Sequence, residues 1–182
     1  MILKQRDVAD CHHLYELLVD PAVFPFVREK AHTYDEYVFL TKKTIEAEEC
    51  GELISRTIVD EWGSPIGTIN LYDVHEQSGF LGTWIGSPYF GLGYNQRAKE
   101  AFFNELFFSC DIQTVYMRIR KHNERSYHAA LKLPYCTLAN ELRPDIFEAL
   151  NQKGDYNLFQ IEKDLYHLHL MRTSPTIERK EA

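Results

Sequence analysis

The chain has 182 residues, and its 45 % hydrophobic and 13 % aromatic content supplies enough apolar mass for one sizeable core, which excludes a disordered chain. Twenty Lys and Arg against 27 Asp and Glu leave a formal charge of −7, which argues against a nucleic-acid partner and suits a cationic amine. Cys11, Cys50, Cys110 and Cys136 form no CxxC pair and are expected as reduced, mostly buried thiols with no disulfide framework and no metal; no apolar run reaches the ~20 residues of a membrane span, so a cytoplasmic protein with no membrane partner is expected.

Residues 2–4 can form a short first strand. From Asp7, a plausible N-cap, the apolar positions Val8, Cys11, Leu14, Tyr15 and Leu18 follow helical spacing until Asp20 and Pro21 stop it. A second helical pattern opens at Thr33 and runs through Tyr37, Leu40, Thr41 and Ile45. Between the two lies an aromatic loop, Phe24-Pro25-Phe26-Val27. Residues 53–60 and 66–73 read as strands joined by the turn residues Gly63, Ser64 and Pro65, and residues 79–86 form a third strand after a polar turn.

The next stretch, Thr83-Trp84-Ile85-Gly86-Ser87-Pro88-Tyr89-Phe90-Gly91-Leu92-Gly93-Tyr94-Asn95-Gln96, reads as a strand end, a tight turn and a helix start. Gly91 and Gly93 remove the Cβ atoms that would keep another molecule off the backbone. The helix after them offers unpaired amides and the positive end of its dipole, which favours a phosphate. Residues 98–110 then have helical spacing and residues 114–120 alternate as a strand, completing a βαβ unit with the turn at the carboxyl end of its first strand. A helix opening at Asn123 follows, then two strands at 136–142 and 157–168 around a helical stretch at 145–151. Residues 1–171 are expected as a single domain and residues 172–182 as a polar tail.

The order Trp-Ile-Gly, aromatic-Gly-x-Gly-Tyr, helix, strand, then Asn123-x-x-Ser126 opening a helix that ends Lys132-Leu133-Pro134-Tyr135 resembles the GNAT superfamily of acyl-CoA-dependent N-acyltransferases, most closely its Rim-type branch, which acetylates protein N-termini. The resemblance runs from about residue 2 to about residue 170 and is strongest from 82 to 135. It implies a mixed, mostly antiparallel sheet flanked by helices, with one parallel strand pair splayed around the acyl-CoA site. It further implies that Gly91, Leu92, Gly93, Tyr94, Asn95 and Gln96 cradle the pyrophosphate of coenzyme A and that the backbone of Trp84 and Ile85 contacts the pantetheine arm. Asn123 and Ser126 are placed near the arm and thioester, and the region holding Phe24 and Phe26 walls the acceptor. The same two phenylalanines could equally fold the loop onto the core.

Acyl transfer from a thioester to an amine needs a neutral amine, oxyanion stabilisation and a proton for the thiolate. Many relatives supply that proton from a tyrosine, but counting from Asn123 puts Ala130 there. Ser126, with Asn123 beside it, is the remaining catalytic candidate, and helix capping is its plain alternative. Phe80 and Leu81 stand where some relatives carry a strand glutamate. Asp73, His75 and Glu76 precede that strand, but a turn histidine is more often simply solvated, and Glu141 on a late strand is a minor candidate. Pro88 replaces the usual Gln or Arg of the turn. The resulting expectation is an acetyl-CoA-dependent N-acetyltransferase acting on a peptide N-terminus, a polyamine or an amino sugar, as a monomer or homodimer. One rival is a CoA-binding regulator on the same fold. Another is a nucleotide-binding module, but the chain lacks the Lys and Ser/Thr of a P-loop.

Overall fold

The computed structural model describes residues 1–174. They contain seven strands and six α-helices in the order β1 (Leu3–Gln5), α1 (Cys11–Leu18), α2 (Tyr34–Glu49), β2 (Ile54–Val59), β3 (Pro65–His75), β4 (Ser78–Ile85), α3 (Tyr94–Phe108), β5 (Thr114–Arg120), α4 (Glu124–Leu131), β6 (Cys136–Leu138), α5 (Pro144–Leu150), β7 (Tyr156–Glu162) and α6 (Lys163–Thr173). This is the expected mixed α/β class, mostly antiparallel with one parallel pair. The chain forms two compact units, Met1–Val115 and the residues from Tyr116 onward, and the division falls inside β5.

In the first unit β1, β2, β3 and β4 pair antiparallel in sequence order. Asp7 accepts a hydrogen bond from the Ala9 amide and opens a short 3-10 turn that leads into α1. Thr33 caps α2 by accepting from the Glu36 amide, while the Glu36 carboxylate reaches back to the His32 amide at 2.6 Å. Glu76 and Gln77 take φ values of 47° and 61°, which suits the two-residue turn between β3 and β4. Alternation along β3 sends Thr68, Asn70 and Tyr72 to the face that α1 and α2 cover, and the fully buried Ile69 and Leu71 to the other. Cys11, Leu14, Leu18, Val23, Val27, Ala31 and Tyr37 form one core cluster. Ala98, Phe102, Phe103, Leu106 and Phe107 are the buried stripe of α3, whereas Phe108 is about half exposed.

The second unit pairs β6 antiparallel with β7, Cys136 opposite Ile161 and Leu138 opposite Phe159. Leu158, Phe159 and Ile161 are fully buried, and Tyr135 stands edge-on to Tyr166 at 5.1 Å. Three expectations need correction. The strand expected over 136–142 stops at Leu138, because the Asn140 side chain takes the Leu158 amide and Arg143 folds back onto the Ala139 carbonyl before Pro144. Glu141 is therefore in a turn. The strand expected over 157–168 is β7 only to Glu162, and α6 follows. Leu, His and Met alternate there in imitation of a strand, yet no β-branched residue occurs between Lys163 and Arg172, Asp164 lies in the first turn and Arg172 in the last, and Tyr166 alone is buried. Arg172 and Thr173 of the expected tail belong to α6, and its remainder from 175 lies outside the described residues.

Among the glycines of the first unit the tightest site is Gly67, paired with Ile85, where a Cβ atom would sit 2.2 Å from the Trp84 carbonyl oxygen. Backbone cannot swing aside as a flexible side chain can. Gly67→Ala is expected to destabilise the protein by about 1–3 kcal/mol or more, read as a lowered melting temperature; a melting curve unchanged from wild type would show that β3 and β4 can separate at no cost.

Candidate functional site

β4 delivers Trp84, half-buried, and Ile85, buried, to Gly86, whose amide donates to the Ile66 carbonyl at 2.8 Å. A 3-10 turn over Ser87–Tyr89 follows, and the Ser87 hydroxyl donates to the Asp20 carboxylate. That bond, with the Ala22 amide, holds the Asp20 carboxyl below its ordinary range. Gly91 and Gly93 both take the left-handed conformation, φ 72° and 81°, and nothing lies within 4 Å of a Cβ built on either. Gly93 is the N-cap of α3, and no side chain caps it. The first amides of a 15-residue helix therefore open onto free space, the arrangement that favours an anion.

The side chains of the turn are committed elsewhere. The buried Tyr94 donates its hydroxyl to the Glu61 carboxylate, and Arg97 stacks on the Tyr94 ring at 4.6 Å. The shared proton favours phenol over phenolate, so this hydrogen bond raises the Tyr94 pKa and lowers that of Glu61. Thr83 Oγ1 reaches the Asn95 side chain at 3.4 Å. Leu92, Asn95 and Gln96 are exposed. What this segment can offer a ligand is its backbone.

In the second unit Asn123 caps α4, its Oδ1 accepting from the Ser126 amide at 3.1 Å. Ser126 is half-buried, and its hydroxyl has no hydrogen-bond partner among the described residues. The structure thus assigns the capping role to Asn123 and leaves the Ser126 Oγ available. Ala130, at the position where a tyrosine acid was sought, is buried.

Other expected residues are dispersed. Phe24 packs on the first core cluster and stands edge-on to His32 at 5.4 Å, whereas Phe26 is 82 % exposed. His75 and Glu76 occupy an exposed hairpin turn, where they pair with each other at 3.5 Å, and Asp73 pairs with Arg28 at 2.9 Å. His167 and His169 lie two residues apart on α6, where such neighbours diverge. The four cysteines are free; Cys11 is buried, but Cys50 is exposed at the end of α2, contrary to expectation. Among the described residues no group of three His, Cys, Asp or Glu side chains could hold a metal, and no helix is long and apolar enough to cross a membrane.

Sequence reasoning missed a polar cavity of about 30 Å³ in the first unit, lined by residues of α1, α2, β3, Trp84 of β4, and Arg6. Arg6 donates to Ser55 Oγ at 3.2 Å and to Thr41 Oγ1 at 3.3 Å, both neutral, and its buried Nε–H meets no acceptor. The Tyr37 hydroxyl is likewise buried without a partner. The legible signal was the alternation Thr68, Asn70, Tyr72, polar at every second position of a strand that is otherwise apolar.

The sequence matches the acetyltransferase (GNAT) domain family over residues 1–134. No curated protein matches it. Similar solved structures include FdhC, a nucleotide-linked sugar GNAT, at 18 % identity over 93 % of this chain and 90 % of that one, TM-score 0.73. RimL, a ribosomal L7/L12 α-N-protein acetyltransferase, aligns at 15 % identity over 89 % and 91 %, TM-score 0.71. Spermidine N-acetyltransferase from Vibrio cholerae, in complex with CoA and spermine, aligns at 12 % identity over 91 % and 96 %, TM-score 0.70. Likeness at this identity concerns the fold, whereas the family match covers most of the chain together with its glycine turn: the protein belongs to the GNAT acetyltransferase family.

Proposed function

We propose that this protein transfers an acetyl group from acetyl-CoA to a primary amine: a peptide N-terminus, a polyamine or an amino sugar, in the cytoplasm. The observation that carries the reading is the turn at Gly91 and Gly93, left-handed at both glycines, open above both, and followed by an uncapped helix start. Backbone amides from Gly91 to Gln96 would hold the pyrophosphate, with the Trp84 and Ile85 backbone beside the pantetheine arm. The fit is physical, since the turn presents donors, a favourable dipole end and no side chain in the way.

The amine must reach the thioester carbonyl as a free base, the new C–N bond forms as the carbonyl becomes an oxyanion, and the C–S bond then breaks to release thiolate. Ser126 is the group assigned to the sulfur. Its hydroxyl is uncommitted, and Asn123 holds the helix start that carries it. A serine is a weak acid, so hydrogen bonding to the developing thiolate is its contribution. His75 and Glu76 sit in solvent on a hairpin turn and are assigned no part in the proton transfer.

Acetyl-CoA offered with a panel of amines should yield free CoA thiol and a product heavier by one acetyl group; tight CoA binding with no thiol release from any amine would instead identify a regulator. Gly93→Val should weaken CoA binding at least tenfold by titration calorimetry, through a side chain on the ligand's face and a left-handed backbone that valine resists at a cost of about 1–2 kcal/mol; normal affinity in a folded variant would move the pyrophosphate elsewhere. Ser126→Ala should lower kcat by about ten- to a thousandfold, about 1.4–4 kcal/mol of transition-state stabilisation, with CoA affinity and melting temperature unchanged because the cap belongs to Asn123. Unchanged kcat removes Ser126 from the chemistry.

A further inference from the structure

The cavity of the first unit contains a charge that the protein does not neutralise. Arg6 has no carboxylate within ion-pair distance among the described residues. Asp10, whose charge reaches Tyr37, is held by Lys4 at 2.7 Å through Oδ1; its Oδ2 is buried without a partner, but Asp10 does not line the cavity. Tyr37, 7 % exposed, lines the same space with Arg6, and its buried hydroxyl has no partner. The guanidinium is near enough to oppose the effect of burial on Tyr37, yet no hydrogen bond of normal geometry joins them. Burial still dominates and pushes the phenol up to about 12, so it is a neutral donor at any physiological pH. Two residues of one small lining therefore each carry a donor without an acceptor, the Nε–H of a charged guanidinium and a neutral phenol O–H.

Water can occupy about 30 Å³, since a water needs roughly 10–15 Å³ of such volume. Two waters would satisfy hydrogen bonds but leave the charge uncompensated. A carboxylate has the same size, supplies acceptors in the plane that a guanidinium edge matches, and cancels the charge. The lining supports an organic ligand with one anionic end. Arg28 and Glu29 are exposed at its outer part, Arg28 lying over the Tyr72 ring at 4.0 Å, and Glu29 is the lining's single carboxylate. Trp84 forms another part of the wall, and its backbone is the segment assigned above to the acyl-bearing arm.

We infer that this cavity is the recognition subsite for the acceptor, and that the acceptor is an amine that also bears a carboxylate, whose oxygens take the Nε–H of Arg6 and the O–H of Tyr37. The inference rests on the acetyltransferase reading and narrows it: among primary amines it favours aminoalkanoates and amino-acid-like compounds over polyamines. Glu29, at the exposed part of the lining, bears the charge that suits the ammonium end of the same molecule before it loses its proton.

The test compares, with the full chain and acetyl-CoA, aminoalkanoates of three to six carbons with diamines and amino alcohols of matching length. The best aminoalkanoate should exceed its diamine and alcohol counterparts by at least tenfold in kcat/KM. Arg6→Leu should erase that preference through KM, Arg6→Lys should retain part of it, and Tyr37→Phe should raise KM for the carboxylate compound alone, all with unchanged CoA affinity. Equal or better transfer to diamines, or a preference that survives undiminished in a folded Arg6→Leu variant, overturns the inference while leaving the acetyltransferase reading intact. If no amine is acetylated and CoA does not bind, that reading fails, and calorimetry with the same aminoalkanoates decides the subsite alone. Binding lost on Arg6→Leu and weakened but retained on Arg6→Lys sustains it, and no binding to the wild-type protein, as expected of a cavity that holds only water, overturns it.

Discussion

The antiparallel register of β3 against β4 is the constraint on which the first unit depends. Opposite Ile85, Gly67 lets the strands approach until the Trp84 carbonyl lies where a Cβ would be. That register sets two things together. It fixes where β4 ends, so that Ile85 and Gly86 lead into the glycine turn, and it fixes which β3 side chains share a face with Trp84. Thr68 lies opposite Trp84 and Asn70 opposite Gly82, and a Cβ at Gly82 would meet the Tyr72 ring at 2.5 Å. The small residue at 82 therefore leaves the tyrosine room to lie across the strand and complete the cavity wall. A slip of one residue would send every one of these groups to the opposite face.

Two arginines of this unit show how differently a charge can be held. Arg56, buried on β2, hydrogen-bonds to the carboxylates of Glu48 and Glu105 and to the Ser55 carbonyl. Desolvation would lower its pKa, but the two glutamates more than offset that and the net shift is upward. This group is complete and structural: losing either acid would leave a buried cation poorly compensated. Arg6 sits one residue past β1 with two long bonds to neutral hydroxyls and nothing at Nε. Proteins rarely leave a buried donor without a partner, and each one that persists calls for a physical account, a bound water or ion among them.

The glycine turn divides its duties between side chains and backbone. Tyr94, Asn95 and Arg97 are turned back toward Glu61 and Thr83 and fix the start of α3. Because those side chains are engaged, the amides of Tyr94 and Asn95 are the uncommitted donors of the turn. In the second unit the same logic applies on a smaller scale, where Asn123 is spent on holding α4 and Ser126 is left over.

Local chemistry was legible in the sequence. The caps at Asp7, Thr33 and Asn123, the existence of strands β2 to β4, the alternation of β5 and the paired glycines before α3 depend on neighbours within a few residues, and such rules act on the chain whatever else it does. The family resemblance was legible for the same reason, since its motif is a contiguous strand, turn and helix. Where the local signal was ambiguous, tertiary packing decided: the Leu and His alternation after Glu162 fits a strand as well as a helix, and burial of Tyr166 against Tyr135 selects the helix. The cavity could not be read in advance at all. Arg6, Tyr37, Asn70 and Trp84 are far apart in the chain, and each alone is an ordinary residue of a strand end, a helix or a strand. Their meaning lies in a missing partner, and the absence of an acceptor is a property of the folded space around a donor, which no stretch of sequence contains.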